Sequence, residues 1–452
     1  MTAPPITNGK IVSLRYMMTN GRGEMLEDTR DKPATAYLHG SAAISMALQS
    51  QLTGMHAGER KNILLKKGTD GADDDFSFEV IILEVRDANP DELRLGHPLT
   101  PVKIHLLGGF LGSGKTTAIT QACLLLSNKN IAAAVITNDQ GVRLVDNQHF
   151  RSLGIPSRQV TGGCFCCNYG DLDESIRSLL IINRPAILFA ESVGSCTDIV
   201  ATVLKPLLSQ HPGWLTTVTI IADALLLDRL LNKNDRSFAD TVRYIYFKQL
   251  DEAQVILVSK ADLLNKAQTR LLQQQMAQRY NSKKVLYHNS FEEADINRWL
   301  QALDDLPVQP SLPSLDIDYH QYAEGEARLA WLDQELEIHC PGLEAQEIAQ
   351  TLMTHIHQKI REKGYPIGHL KFMVDGEKKI SFTATDAEGF TPKPTHTTIL
   401  LINARVQADP AHLMGLVADM IGEIQNRHAC GIKTLGLKSF QPGYPRPTHR
   451  MV

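Results

Sequence analysis

The stretch Gly108-Gly109-Phe110-Leu111-Gly112-Ser113-Gly114-Lys115-Thr116-Thr117 decides how this chain is read. Gly109, Gly114, Lys115 and Thr116 complete the pattern G-x-x-x-x-G-K-[ST]. An apolar, strand-like run (Ile104–Leu107) precedes it and a helical run (Ala118–Ser127) follows it. Glycines are needed there because the loop backbone must curl around phosphate oxygens with its N–H groups pointing inward. Gly112, Ser113 and Thr117 belong to the same cradle. Lys115 is placed to neutralise β- and γ-phosphates, the Thr116 hydroxyl to complete a Mg²⁺ shell, and the following helix to present its N-terminus to the anion. The implication is a nucleoside triphosphate site.

Composition bounds the rest. The 452 residues suffice for two to four domains, and 43% hydrophobic with 21% charged residues is ordinary for a soluble chain. A net charge of −4 argues against nucleic acid as a partner. No apolar run reaches membrane-spanning length, and MTAPPITNGK lacks the apolar centre of a signal peptide, so a cytoplasmic location is expected. Seven cysteines, three of them within four positions, suit a reducing compartment and metal or thiol chemistry better than a disulfide framework.

Downstream of the loop, apolar runs at Ile131–Thr137, Pro185–Ala190, Val218–Ala222 and Val255–Val258 read as strands buried on both faces of a parallel sheet. Ligand groups gather at the carboxyl ends of such strands. There the sequence places Asp139 in NDQG and Glu191 in ESVG, both candidates for the Mg²⁺ shell and for catalysis, with Asp146 a weaker one and Asp223 equally structural or functional. Ser259-Lys260-Ala261-Asp262 reads as [NS]-K-x-D: the Asp262 carboxylate can accept from guanine N1 and N2, which adenine does not offer, and the Lys260 stem lies across the base. Ser259 stands where asparagine is usual. Between these motifs, Cys164, Cys166 and Cys167 follow two glycines and can turn three sulfurs to one point, as Zn²⁺, Cu⁺, Co²⁺ or Ni²⁺ require. A fourth position is left for water, a histidine or a thiol of a second protomer. Redox chemistry is the competing reading.

GGFLGSGKTT, ITNDQG, GGCFCC, ESVG and SKAD, in that order over Pro101–Leu303, resemble the CobW-like metallochaperone GTPases of the SIMIBI class, relatives of the urease- and hydrogenase-maturation GTPases. The resemblance implies slow GTP hydrolysis, Mg²⁺ dependence, a transition metal (Zn²⁺, Co²⁺ or Ni²⁺) carried on the three thiols, and a client apo-metalloprotein, with a homodimer as a further partner state. The rival reading is a folding chaperone that uses GTP as a release switch. A small-molecule kinase is the third, and SKAD argues against it.

The first hundred residues read as a separate β-rich module. GKIVSLRY from Gly9, PATAYLHG from Pro33, LTGMHAGER from Leu52 and FEVIILEVRDANPDELRLGH from Phe78 resemble a SlyD-type FKBP prolyl isomerase. The resemblance implies that Tyr16, Tyr37, Ile44, Leu48 and Phe78 line an apolar peptide pocket. The inserted flap and the histidine-rich tail of that family are missing, and Leu48 replaces a frequent tryptophan. These departures favour a docking or peptide-binding module over an isomerase.

Beyond the breaker PVQPSLP (Pro307–Pro313), a helical stripe through Leu343, Ile348, Leu352, Ile356 and Ile360 precedes three strands and a helix from Pro410. His355 and His357 read as surface or boundary residues. The tail GYPRPTHRMV reads as a docking strand or a frayed end, with the frayed end favoured. The expected fold is therefore α/β: a P-loop NTPase core with a mostly parallel sheet over 98–306, preceded by an FKBP-like α+β domain at 1–97, and followed by a linker (307–318) and a small α/β sandwich at 319–452.

Overall fold

The computed structural model describes residues 4–452, apart from 31, 33, 99–101, 140–144, 233–237, 308–311 and 383–389 and the side chains of 91 and 139. The chain divides into two compact units, Met1–Pro101 and Val102–Val452.

In the first unit the long alternating runs form antiparallel strands. They are β1 (Lys10–Asn20), β2 (Met25–Asp28), β3 (Thr35–Leu38), β4 (Arg60–Leu65) and β5 (Phe76–Asp87), with helices α1 (Met46–Leu52) and α2 (Pro90–Leu95). The order is β2-β1-β5-β4, with β3 also on β1. One face of this sheet buries Val12, Leu14, Val80 and Ile82 with Leu52 of α1. Asn89 caps α2 in a reciprocal box with Glu92, and Arg86 holds that buried carboxylate at 2.6 Å. Tyr37, Tyr16, Ile44, Leu48 and Phe78, the five pocket candidates, lie in one apolar cluster. Tyr37 is fully buried in it; the other four are half-buried.

The second unit opens with β6 (Lys103–Gly108), α3 (Lys115–Asn128), β7 (Ala133–Asp139), α4 (Val145–Ser152), β8 (Ser157–Thr161), α5 (Tyr169–Asn183) and β9 (Ile187–Glu191). It continues with α6 (Lys205–Gln210), β10 (Leu215–Asp223), α7 (Ala224–Leu231), α8 (Asp240–Glu252), β11 (Val255–Ser259), α9 (Lys266–Arg279), β12 (Lys284–His288) and α10 (Glu293–Asp304). The strands form one parallel sheet, β12-β11-β10-β6-β9-β7-β8. Its central strands are buried and mostly apolar because helices cover both faces, and the buried His105 of β6 is hydrogen-bonded to Thr217 Oγ1 of β10. The chain is α/β, and every functional candidate in this half leaves the sheet at a strand's carboxyl end.

A second sheet follows α11 (Tyr319–Ala327). It comprises β13 (Leu329–His339), β14 (Ile367–Val374), β15 (Lys378–Phe382), β16 (Thr397–Gln407) and β17 (Gly431–Phe440), with helices α12 (Ala345–Glu362) and α13 (Pro410–Arg427). The antiparallel order is β15-β14-β16-β13-β17. The strands β13 and β17 and the helix α11 carry weaker local signals than the elements between them and were not expected. Period two sorts this sheet's faces. Leu332, Phe372, Ile380 and Ile402 point into the core beneath α12 and α13. His357 belongs to that side too, buried with its ring 4.6 Å from Phe382, so it is not a surface residue.

The alternate residues, Trp331, Asp333, His369, Lys371, Lys379, Asn403 and Arg405, form a polar face turned toward the parallel sheet's phosphate loop. Arg405 is buried at 0% exposure, paired with Asp333 at 2.7 Å and stacked 4.1 Å from the Trp331 ring centroid. The approach is close: a Cβ on Gly368 would sit 2.7 Å from Leu111 Cδ1 of the loop. Val145 at the start of α4 donates to Asn403 Oδ1 and packs on Met373 and Leu401.

Candidate nucleotide and metal site

The phosphate loop turns sharply at Gly109, whose φ is +128° and where a Cβ would lie 2.1 Å from Ile221 O. No side chain fits, so glycine is obligatory at that position. Lys115 does not extend free from α3, as the motif alone would have it. Its buried ammonium donates to Gly109 O (2.6 Å) and Phe110 O (3.2 Å).

Thr116 donates to Glu191 Oε1 at 2.9 Å, which brings the expected threonine and strand-end acid together. The other oxygen, Glu191 Oε2, is buried with no hydrogen-bond partner among the described residues. Burial pushes the Glu191 carboxyl up, against the pull of nearby lysines. A hydroxyl and an unsatisfied carboxylate oxygen at the foot of a phosphate loop are the donor set a hard divalent cation takes, so the residues fit Mg²⁺. Asp139 ends β7, but its side chain lies outside the described residues. Asp146 is not poised at that cation site: both its oxygens are engaged by Lys371 (2.6 Å) and Lys379 (2.7 Å). Burial alone would raise the Asp146 carboxyl, but these two ammonium groups outweigh it and hold it well below the usual carboxylate range.

These groups line one cavity of about 490 Å³. Its base end holds Asp262, Lys260 and Ser259. Lys260, in the left-handed region at φ +55°, reaches Gly112 O (3.2 Å) and Asp223 Oδ2 (2.6 Å). Ser259 donates to Ser113 O (2.6 Å), tying this strand end to the loop. Asp223 caps α7 through Leu225 N and Leu226 N and anchors Lys260. Asn289, Ser290 and Phe291 also border this end and escaped notice in the sequence. Their signal was available, since they follow β12 at its carboxyl end and Phe291 is 68% exposed.

The cysteine loop lies between β8 and α5. Cys164 Sγ and Cys166 Sγ lie in direct contact, and Cys167 Sγ lies 3.2 Å from Cys164 Sγ and 3.8 Å from Cys166 Sγ. All three sulfurs fall within 4.8 Å of one another. Asn138, which also borders the nucleotide cavity, holds this loop from both sides. Its amide donates to Gly163 O (2.7 Å) and Val160 O (3.2 Å), and its oxygen accepts from Phe165 N (2.9 Å). Within NDQG the sequence pointed to the aspartate; the asparagine one position earlier makes the link.

The C-terminal tail is not frayed. Thr448 N and Oγ1 donate to Cys166 O at 2.9 and 3.2 Å, and Met451 N donates to Ala201 O at 2.9 Å. Arg450 Nε reaches Asp198 Oδ2 at 2.7 Å, and the His449 ring meets Tyr169 edge-on at 4.9 Å. Burial raises the Cys167 thiol, while a hydrogen bond from the Arg446 backbone N–H opposes this. Of the tail's backbone donors, Arg446 N and Thr448 N serve this loop, and Met451 N serves Ala201.

Below the thiols, Ser195 Oγ donates to the buried Glu326 at 2.5 Å. Burial pushes the Glu326 carboxyl from 4.5 up to about 8. The folded chain therefore retains a proton that the unfolded chain releases between those values. The sign follows directly: stability falls as pH rises through that window, by at most ~1.4 kcal/mol per pH unit. Glu326→Gln should flatten this part of the slope in urea unfolding at pH 5, 6.5 and 8, while the neighbouring Glu252, raised by burial to about 7, keeps its own share. An unchanged slope in the variant would assign the dependence elsewhere.

Among the described residues no helix is long and apolar enough to cross a membrane. Two solved structures are similar at 16% identity. HypB from Helicobacter pylori in complex with nickel has a TM-score of 0.35 and covers 49% of this chain and 93% of its own. The hydrogenase maturation factor HypB from Archaeoglobus fulgidus has a TM-score of 0.32, with 45% and 88% covered. Two Escherichia coli K12 proteins are similar in sequence. Zinc chaperone YeiR is 28% identical over 227 residues, 49% of this chain and 64% of its own length. Zinc chaperone YjiA is 24% identical over 287 residues, 62% of this chain and 84% of its own. Residues 103–287, the stretch that carries both the phosphate loop and the three cysteines, match the family model for the CobW/HypB/UreG nucleotide-binding domain.

Proposed function

We propose that the chain is a GTP-hydrolysing metal chaperone that carries a transition-metal ion on Cys164, Cys166 and Cys167 and couples its transfer to the nucleotide cycle. The observation that carries this reading is Asn138, one side chain that borders the nucleotide cavity and clasps the cysteine loop through Gly163 and Phe165. A group with a hand on each site gives the two ligands a shared element whose position both can bias.

Guanine is the base that Asp262 can read, and Lys260 is held over the loop to flank it. Lys115 and the helix N-terminus behind it bind the phosphates. Thr116, Glu191 and Asp139 would hold Mg²⁺, which supplies charge neutralisation at the β- and γ-phosphates. Three thiolates leave an open position, as a cargo that must depart requires. Zn²⁺ is the favoured metal, because both similar E. coli proteins are zinc chaperones; Co²⁺ and Ni²⁺ satisfy the same ligands. The cargo would pass to a client apo-metalloprotein. The N-terminal unit is read as an FKBP-like peptide-binding or docking module for that client, supported by the half-buried Tyr16 and Phe78 rings 6.1 Å apart.

The test is Zn²⁺ competition against a chelating dye on the reduced protein, with GTP, GDP, ATP or no nucleotide. GTP should change metal affinity by roughly 5–150-fold, and metal should change GTP affinity by the same factor, because equilibrium coupling is reciprocal. ATP should have little effect. Asn138→Ala should bind both ligands and lose the coupling. Identical metal affinity in all nucleotide states would sink the coupled reading.

A further inference from the structure

The C-terminal segment is held at two places that bear on the three thiols. At the first, Thr448 grips the Cys166 carbonyl with both its N–H and its hydroxyl, at 2.9 and 3.2 Å. The Arg446 backbone N–H donates to the Cys167 sulfur. Cys164 and Cys166 are buried, so the half-buried Cys167 is the most open of the three, and it is the one this segment covers. At the second place, Arg450 donates to Asp198 Oδ2 at 2.7 Å and to Leu315 O at 2.8 Å, and Met451 N donates to Ala201 O at 2.9 Å. Asp198 and Ala201 lie on the stretch that leaves Glu191, and Asp198 is buried there at φ +66°.

Ordinary terminal packing is the simpler account of such a segment. Packing of that kind buries apolar side chains, and here the buried anchors, Pro442 and Pro445, lie at the root. The outer part is attached differently. Thr448, His449, Arg450 and Met451 are exposed, and hydrogen bonds together with the His449–Tyr169 ring contact hold them. Hydrogen bonds at a wet surface exchange for water at a modest net cost each, whereas buried apolar contacts have no such exchange. Prolines at 445 and 447 stiffen the piece between root and tip. A fixed root, a stiff arm and a polar tip make a part that can lift as a unit.

We propose that residues 446–451 are a strap over the cargo thiols, latched by Arg450 on Asp198, that retains the bound ion and lifts when a second protein takes it. This rests on the reading of Cys164, Cys166 and Cys167 as a cargo site. An ion on three thiolates leaves by ligand exchange, in which an incoming thiolate or imidazole reaches it through the open position. With Arg446 and Thr448 seated on Cys167 and Cys166 that approach is narrowed; with the latch undone it is free. The latch residue belongs to the stretch downstream of Glu191, which puts the strap within reach of the nucleotide state.

The experiment loads the reduced full chain with an equivalent of Zn²⁺ and follows its passage to an excess of chelating dye in wild type, Arg450→Ala, Arg450→Lys and Thr448→Pro. Arg450→Ala undoes the latch, and Thr448→Pro removes the donors at the other end while Asp198 keeps its arginine. Each should release Zn²⁺ on the order of 10- to 100-fold faster, the factor that one charge-assisted or two neutral hydrogen bonds are worth, and Arg450→Lys should restore most of the retention. Circular dichroism and the GTP affinity of the metal-free protein should stay those of wild type. Release at the wild-type rate in both disrupting variants overturns the strap and leaves the cargo reading standing. Faster release that comes with an equal loss of GTP affinity overturns it too, because that pattern reports a loosened fold. A wild type that takes up no Zn²⁺ overturns the cargo reading and this inference with it.

Discussion

Lys115→Ala is expected to bring GTP hydrolysis to background, a loss of roughly 10²–10³-fold or more, in a chain that remains folded. The ammonium is buried at the base of the loop, where it touches Gly109 O and Phe110 O. An incoming phosphate oxygen competes for the same ammonium, and the stronger, charge-assisted contact wins. Removing the lysine leaves two loop carbonyls without that donor, a cost of about 1–3 kcal/mol against a unit whose sheet and helices are otherwise untouched. The prediction therefore separates activity from folding. Phosphate release reports the first and circular dichroism the second. Substantial turnover by the folded variant would mean that hydrolysis is carried out elsewhere in the molecule.

What was legible in the sequence was what local spacing determines. The apolar runs before Asp139, Glu191, Asp223 and Ser259 were readable as buried parallel strands because helices on both faces leave no polar alternation. Their ends then located the phosphate loop, the acid beside Thr116 and the base reader. Three cysteines in four positions announced their own convergence. Illegible were the contacts made by docking one sheet against another. His369 with Lys371, and Lys379 with Ser381, show the period of two that puts each pair on one face, yet nothing local says that this face meets a phosphate loop more than 250 residues upstream. The same holds for the tail. Its composition reads as disorder, and the acceptors supplied by the rest of the folded unit, among them Cys166 O, Ala201 O, Asp198 and Leu315 O, give its donors an address. Asn138 went unremarked for a subtler reason: a strand-end aspartate draws attention in such a motif, and an asparagine that satisfies three backbone groups does its work through geometry alone.

Changing Cys164, Cys166 and Cys167 together to serine is expected to abolish transition-metal binding and leave nucleotide binding in place. Hydroxyls are poor ligands for a borderline ion at neutral pH, whereas the thiolates that they replace are strong ones. The nucleotide site should survive because Asn138 grips this loop through Gly163 O, Val160 O and Phe165 N, all of them backbone atoms. Two further signatures belong to the same chemistry. Only reduced thiols bind the ion, so an oxidant should abolish binding in the wild type, reductant should restore it, and neither should matter in the triple variant. Metal binding must also displace protons, the more so because burial holds the Cys167 thiol up, so affinity should fall as the pH is lowered and binding should acidify a weakly buffered solution. Dye competition with Zn²⁺, Co²⁺ and Ni²⁺, run with oxidant and with reductant at two pH values, measures all three effects on one sample. Retention of metal by the triple-serine protein would move the cargo away from these sulfurs and leave them to redox chemistry.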